Sequence, residues 1–139
     1  MDPAVHVREC MANITVHNAS TGKGFFAMQF TGVSTLDSGA AVTPGFASAS
    51  PVTSTTFSTA ATDEIIVYGL ANYYASTFNA DLIGGVTATI PTNASLSTAD
   101  GLLNGAVEFR IAPTVQTSIT ADLTTTGKVY AGYFSAAFH

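Results

Sequence analysis

The residues of this chain that could do chemistry are few, and their spacing brings none of them together. Three histidines, His6, His17 and His139, could ligate a metal or act as a base. None has a second histidine two or four residues away, the spacing that puts two rings on one face of a strand or helix. Asp63-Glu64 is an adjacent acidic pair at the start of an apolar run, and consecutive strand residues face opposite sides, so the pair reads as the cap of a turn. Asp37, Asp81, Asp100 and Asp122 lie in turns without the dense alternation of a calcium loop. Serine is abundant, but no G-x-S-x-G elbow occurs to expose one as a nucleophile. Gly22-Lys23-Gly24 is too short to cradle a phosphate, and Phe138-His139 reads as a solvated end. The sequence therefore predicts no catalytic residue, no cofactor and no metal site.

The aromatic residues offer a different chemistry. Tyr68, Tyr73, Tyr74 and Phe78 surround Asn72, with Asp81 close by in sequence. Exposed tyrosine rings stack on the C–H faces of sugars, and amides and carboxylates bind their hydroxyls, so Tyr73, Tyr74 and Phe78 are candidates for a glycan contact. Tryptophan, the strongest stacking residue, is absent from the sequence. The alternative role for the same residues is a contact between subunits.

The elements that must position these residues are strands. Turn-forming Ser, Thr, Gly, Pro and Asn recur about every ten residues, the pattern of a sandwich or barrel. Ile14 to Asn18 and Gly24 to Phe30 read as strands, as does Glu64 to Ala71, whose continuous apolarity predicts cover on both faces. From Val115 to Leu123 the sequence alternates, with Val115, Thr117, Ile119, Ala121 and Leu123 on one side. The segment from Lys128 to Phe138 sets Tyr130, Phe134 and Phe138 against Val129, Tyr133 and Ala137, which predicts a mid-sheet strand. The stretches 39–57 and 72–99 each read as a loop with short strands, such as Ser54 to Ser58 and Val86 to Ile90. The expected organisation is an extended N-terminal arm over residues 1–12 and one antiparallel β-sandwich over residues 13–139.

Composition narrows the function. In 139 residues, charged side chains make up 9%, against about 25% in ordinary soluble domains. Mean hydropathy is +0.34. Solvent-facing strands thus carry little of the Lys and Glu that normally blocks edge-to-edge pairing, which suits a surface that is covered in use. A net charge of −5, with Arg8, Lys23, Arg110 and Lys128 as the basic residues, argues against nucleic-acid binding. The first ten residues have no apolar core of a signal peptide, and no apolar run approaches the roughly 18 residues of a membrane helix. Cys10 stands alone and cannot form an internal disulfide. The N-x-S/T sequons at Asn13, Asn18 and Asn93 are expected by chance at this Ser and Thr content.

Four segments together carry a resemblance: FTGVSTLDSGAAV (Phe30 to Val42), SPVTSTTFSTAATDEIIVYGLA (Ser50 to Ala71), EFRIA (Glu108 to Ala112) and KVYAGYFSAAFH (Lys128 to His139). In that order they resemble a recurring β-domain of uncharacterised bacterial surface and phage virion proteins. The resemblance covers about the last hundred residues and implies a jelly-roll-like sandwich that decorates a larger particle or chain. Gln29 replaces the glutamate that in those proteins precedes a Tyr-Ser-Gly segment, which here reads Phe30-Thr31-Gly32, and Val129 or Tyr130 stands where a tryptophan is common in the final strand. The opening strands of the pattern are represented here by Ile14-Thr15-Val16, which implies a sandwich short of those strands. Its bare edge would be completed by the arm of a neighbour through Val5, Val7 and Arg8.

The resulting expectation is a non-enzymatic structural protein of a virion or extracellular assembly, such as a capsid decoration or tail-associated subunit. It would form homo-oligomers, bind a major capsid or tail protein, or both, with no nucleic-acid or membrane partner. The other class of function is a carbohydrate-binding β-sandwich module.

Overall fold

The computed structural model describes residues 28, 30–38, 43–92, 94–97 and 104–139. Among these the chain forms nine strands and no helix. They are β1 (Thr43–Ala47), β2 (Val52–Thr53), β3 (Glu64–Asn72), β4 (Phe78–Ile83), β5 (Val86–Thr87), β6 (Ser95–Ser97), β7 (Asn104–Ala112), β8 (Ala121–Thr125) and β9 (Ala131–Phe138). Two antiparallel sheets result, one in the order β1-β9-β3-β7-β6 and one in the order β2-β8-β4-β5. The all-β sandwich expected from the turn spacing is therefore what the chain adopts.

The connectivity is that of a rolled hairpin. β1 pairs with β9, β2 with β8, β3 with β7 and β4 with β5, so each strand of the first half meets its mirror image from the second. Further pairing of β3 with β9 and of β4 with β8 closes the roll, giving jelly-roll topology, and β6 is added beside β7. The tip of the hairpin is Gly84-Gly85, with φ of 59° and 75°. Positive φ at both central residues is what a two-residue turn needs to match the twist of the strands, and glycine meets it without a steric penalty.

The eight strands of the roll all lie between Thr43 and Phe138, so the expectation of a sandwich short of its opening strands is corrected. The arm, including Val5, Val7 and Arg8, and the strand expected from Ile14 to Asn18 lie outside the described residues. Of the strand expected from Gly24 to Phe30, Met28 and Phe30 are described, and neither is in a strand. β8 begins at Ala121 and not at Val115, because Ser118 takes a left-handed φ of 51° that breaks the extended run. Val115 is accordingly 48% exposed, whereas Ala121 and Leu123 are buried as their alternation predicts.

Between the sheets, Ile66, Tyr68 and Leu70 of β3 and Tyr133 of β9 meet Val52, Ile83 and Leu123 of the opposite sheet. Alanines at 106, 112, 131 and 137 make room for the two tyrosine rings, whose centroids are 5.9 Å apart. The Tyr68 hydroxyl donates to the Val52 carbonyl at 2.9 Å, tying one sheet to the other through the core. Burial, then the neighbouring Tyr133, Asp122 and Glu108, raises its pKa, so the phenol stays a neutral donor.

Glu108 lies beside Tyr68 in register on β7 and is fully buried. One carboxyl oxygen accepts the Asp81 N–H at 3.1 Å, while the other has no hydrogen-bond partner. Burial, reinforced by the carboxylates of Asp81 and Asp122 and opposed by the Asp81 N–H, pushes its pKa up to about 7. In the unfolded chain the group ionises near its ordinary 4.5. Its contribution to stability is therefore full below pH 4.5 and is lost as pH rises to 7, by about 3 kcal/mol. Glu108→Gln keeps an acceptor for Asp81 and removes the ionisation. The variant is expected to match the parent at pH 4 and to exceed its stability by up to about 3 kcal/mol at pH 8 in urea denaturation. An unchanged pH slope in the variant would contradict this assignment.

Candidate functional site

β3 runs through the middle of the five-stranded sheet, and its side chains divide by parity. Glu64, Ile66, Tyr68, Leu70 and Asn72 face the core, while Ile65, Val67, Gly69 and Ala71 face outward. The outward face is itself apolar. Val67, Val107, Phe134, Ala136 and Phe138 line a groove of about 400 Å³, with Phe30 along one wall. Phe30 stands edge-on to Phe109 at 5.7 Å between centroids, so part of this face is covered by the chain before β1. The Phe134 ring lies across Gly69, where a β-carbon would overlap it. Beyond the groove, Phe46 is 76% exposed and rests against Tyr130 at 5.9 Å. Tyr130, Phe134 and Ile111 are also solvent-exposed. Aromatic groups are thus presented along one face of a sheet whose other face already holds the core.

The two ends of the inward face of β3 carry polar groups, and they are treated differently. At one end Asn72 is fully buried, donating to the carbonyls of Tyr74 and Lys128 and to the Ser76 hydroxyl, and accepting from the Tyr130 N–H at 2.8 Å. Its amide locks the loop after β3 to the chain entering β9. The amide is committed inside the protein and does not face a ligand as the sequence suggested.

The candidate glycan residues separate accordingly. Tyr73 is 53% exposed and meets Tyr74 edge-on at 5.3 Å. The ammonium of Lys128 sits 4.5 Å above the centre of the Tyr74 ring, a cation–π contact that occupies one face. Phe78, at the start of β4, packs half-buried against the core. Asp81 accepts the Thr124 hydroxyl at 2.6 Å. Tyr73 is what remains of the expected platform as an open ring.

At the opposite end, Glu64 overturns the expectation that Asp63-Glu64 simply caps a turn. Asp63 makes the turn, with φ of 57°, and Glu64 enters the core at 0% exposure with neither carboxyl oxygen hydrogen-bonded. Asp37, also fully buried, accepts the N–H groups of Ala60 at 2.7 Å and Ala61 at 3.2 Å through Oδ2. His139 is likewise more than a solvated end. Its carbonyl accepts the N–H groups of Ser34 and Thr35, its own N–H donates to the Thr35 carbonyl, and its Nδ1 lies 3.9 Å from Glu64 Oε1. Burial, then the facing Asp37, raises the Glu64 pKa, with Thr59 and His139 pulling it down. Sequence reasoning missed this cluster because its members are 27 and 75 residues apart in the chain (37 to 64, 64 to 139). The parity of Glu64 with Ile66, Tyr68 and Leu70 was the signal that could have placed it inside.

Fold and surface together define an all-β jelly-roll sandwich with a second apolar face. Comparison with models of protein families, with curated proteins and with solved structures found no match to this chain.

Asn72→Ala would strand the Tyr130 N–H and the Lys128 carbonyl, while the Tyr74 carbonyl keeps the Ser76 hydroxyl and the Asn104 amide, and is expected to cost about 2–3 kcal/mol. Tyr73→Ser, one residue on, should change stability by less than about 0.5 kcal/mol. Denaturant midpoints of the two variants check the pair, and equal losses would contradict the asymmetry.

Proposed function

We propose that this chain is a non-enzymatic structural subunit of a virion or extracellular assembly, such as a capsid decoration or tail-associated protein. It associates with copies of itself, with a major capsid or tail protein, or with both, through the outer face of its five-stranded sheet. One observation carries the reading: Phe46, Tyr130, Phe134 and Ile111 are exposed on or beside a face that also holds an apolar groove. A monomer rarely leaves such a face to water, and aromatic residues are the usual anchors of protein interfaces. The scarcity of charge over the chain, 9% of residues, works in the same direction.

Light scattering coupled to size exclusion tests the reading on the full chain at micromolar concentration. A defined oligomer is expected, and Phe46→Asp or Phe134→Ser should shift it towards monomer without lowering the thermal midpoint by more than a few degrees. A parent chain that stays monomeric at high concentration, and whose solubility neither substitution changes, overturns the proposal. A monomer whose tyrosine fluorescence responds to soluble glycans, with the response lost in Tyr73→Ser, would replace it with the carbohydrate-binding reading.

A further inference from the structure

The same strand and the same face carry Asn72 at one end and Glu64 at the other, both at 0% exposure. Asn72 is hydrogen-bonded within the protein; neither Glu64 oxygen has a donor at hydrogen-bond distance, and around them stand Asp37, Thr59 and the His139 Nδ1, 3.9 Å from Oε1. A buried carboxylate without a hydrogen-bond donor is costly, and proteins that keep one generally place a proton or a cation there. At this position three ligand atoms converge. One carboxylate oxygen each from Asp37 and Glu64 and one imidazole nitrogen of His139 all lie within 4.8 Å of one another. Donors on a small cation about 2.0–2.2 Å away stand roughly 3–4 Å apart, so small side-chain rotations would close the set.

We propose that Asp37, Glu64 and His139 form a binding site for a single first-row divalent transition cation, with Zn²⁺ as its representative. Two carboxylates balance the charge of a divalent ion. The imidazole nitrogen separates the site from one built for Ca²⁺ or Mg²⁺, which take oxygen ligands. The two N–H groups on Asp37 Oδ2 fix the orientation of that carboxylate, the role played by outer hydrogen bonds around bound metals. His139 is 42% exposed, which leaves an entry path for the ion and room for water as a further ligand. The three residues come from the chain before β1, the start of β3 and the residue that follows β9. An ion held among them therefore cross-links three separate segments at one end of the sandwich. It involves the inner face of β3, and so stands apart from the outer surface assigned to assembly.

The test uses the full chain, stripped with chelator and titrated with Zn²⁺ by calorimetry and by thermal denaturation. Expected are saturable one-to-one binding in the micromolar range and a raised thermal midpoint. Glu64→Gln and His139→Ala should each weaken binding at least about 100-fold and lose the Zn²⁺-induced rise in midpoint, read against each variant's own metal-free midpoint. If Glu64→Gln does not fold, the more exposed His139→Ala carries the same comparison. Co²⁺ gives an independent readout: visible d–d bands without a thiolate charge-transfer band, lost in both variants, which keeps binding at Cys10 distinct. The proposal is overturned by failure to saturate with Zn²⁺, by binding that survives both substitutions, or by equal stabilisation with Ca²⁺.

Discussion

β3 is hydrogen-bonded along both edges over nearly its whole length, to β7 from Glu64 to Asn72 and to β9 from Ile65 to Asn72. Its backbone groups are thereby satisfied, and what it contributes further depends on side chains alone. One set points into the core and the other away from it, and both sets are largely apolar. That constraint shapes the rest of the molecule. The inward set needs a second sheet, which β2, β8, β4 and β5 supply. The outward set also needs cover, which Phe30 and its neighbours give in part. A half-exposed antiparallel sheet normally meets water with alternating polar residues, and the central strand here does not.

The polar groups admitted to the interior show how the fold tolerates them. Tyr68 uses its hydroxyl to bridge the sheets, and Asn72 closes one end of the core by binding backbone from two segments. Glu108 is half satisfied and avoids the cost of its charge by holding its proton to about neutral pH. Glu64 stands at the far end of this series, with a neighbouring carboxyl and an imidazole as its surroundings. In a chain this poor in charge, two fully buried glutamates facing inward from adjacent strands are a large share of the acidic groups placed in the sandwich.

The sheet architecture was legible because its strongest signals are local. Continuous apolarity from Glu64 to Ala71 identifies a strand with two apolar faces in the middle of the sheet, although its outer face is covered only in part, and the two-sided pattern after Lys128 places β9 inside the sheet. Boundaries failed where one residue changes the backbone: Ser118 ends the alternation that otherwise runs back to Val115. The buried acids were missed because residue type was weighed above parity. Glu64 shares its parity with Ile66 and Tyr68, and Glu108 shares its parity with Ala106 and Ala112, so alternation alone puts both carboxyls inside. Tyr73 and Tyr74 adjoin in sequence as an aromatic platform should, but the Lys128 that covers Tyr74 arrives from 54 residues away (74 to 128).

The order of the strands in the first sheet differs from their order in the chain, and this bears on synthesis. β9 leaves the ribosome after the other eight strands described here, yet it stands between β1 and β3. Until it emerges, β3 lacks one of its two partners, Tyr133 is missing from the core, and β1 has no strand to join. A nascent or prematurely terminated chain can form the β4–β5 tip but has a gap through the middle of its larger sheet. Incomplete copies are therefore open along the very edges that pair in the finished protein, and so are marked out for aggregation or proteolysis from complete ones.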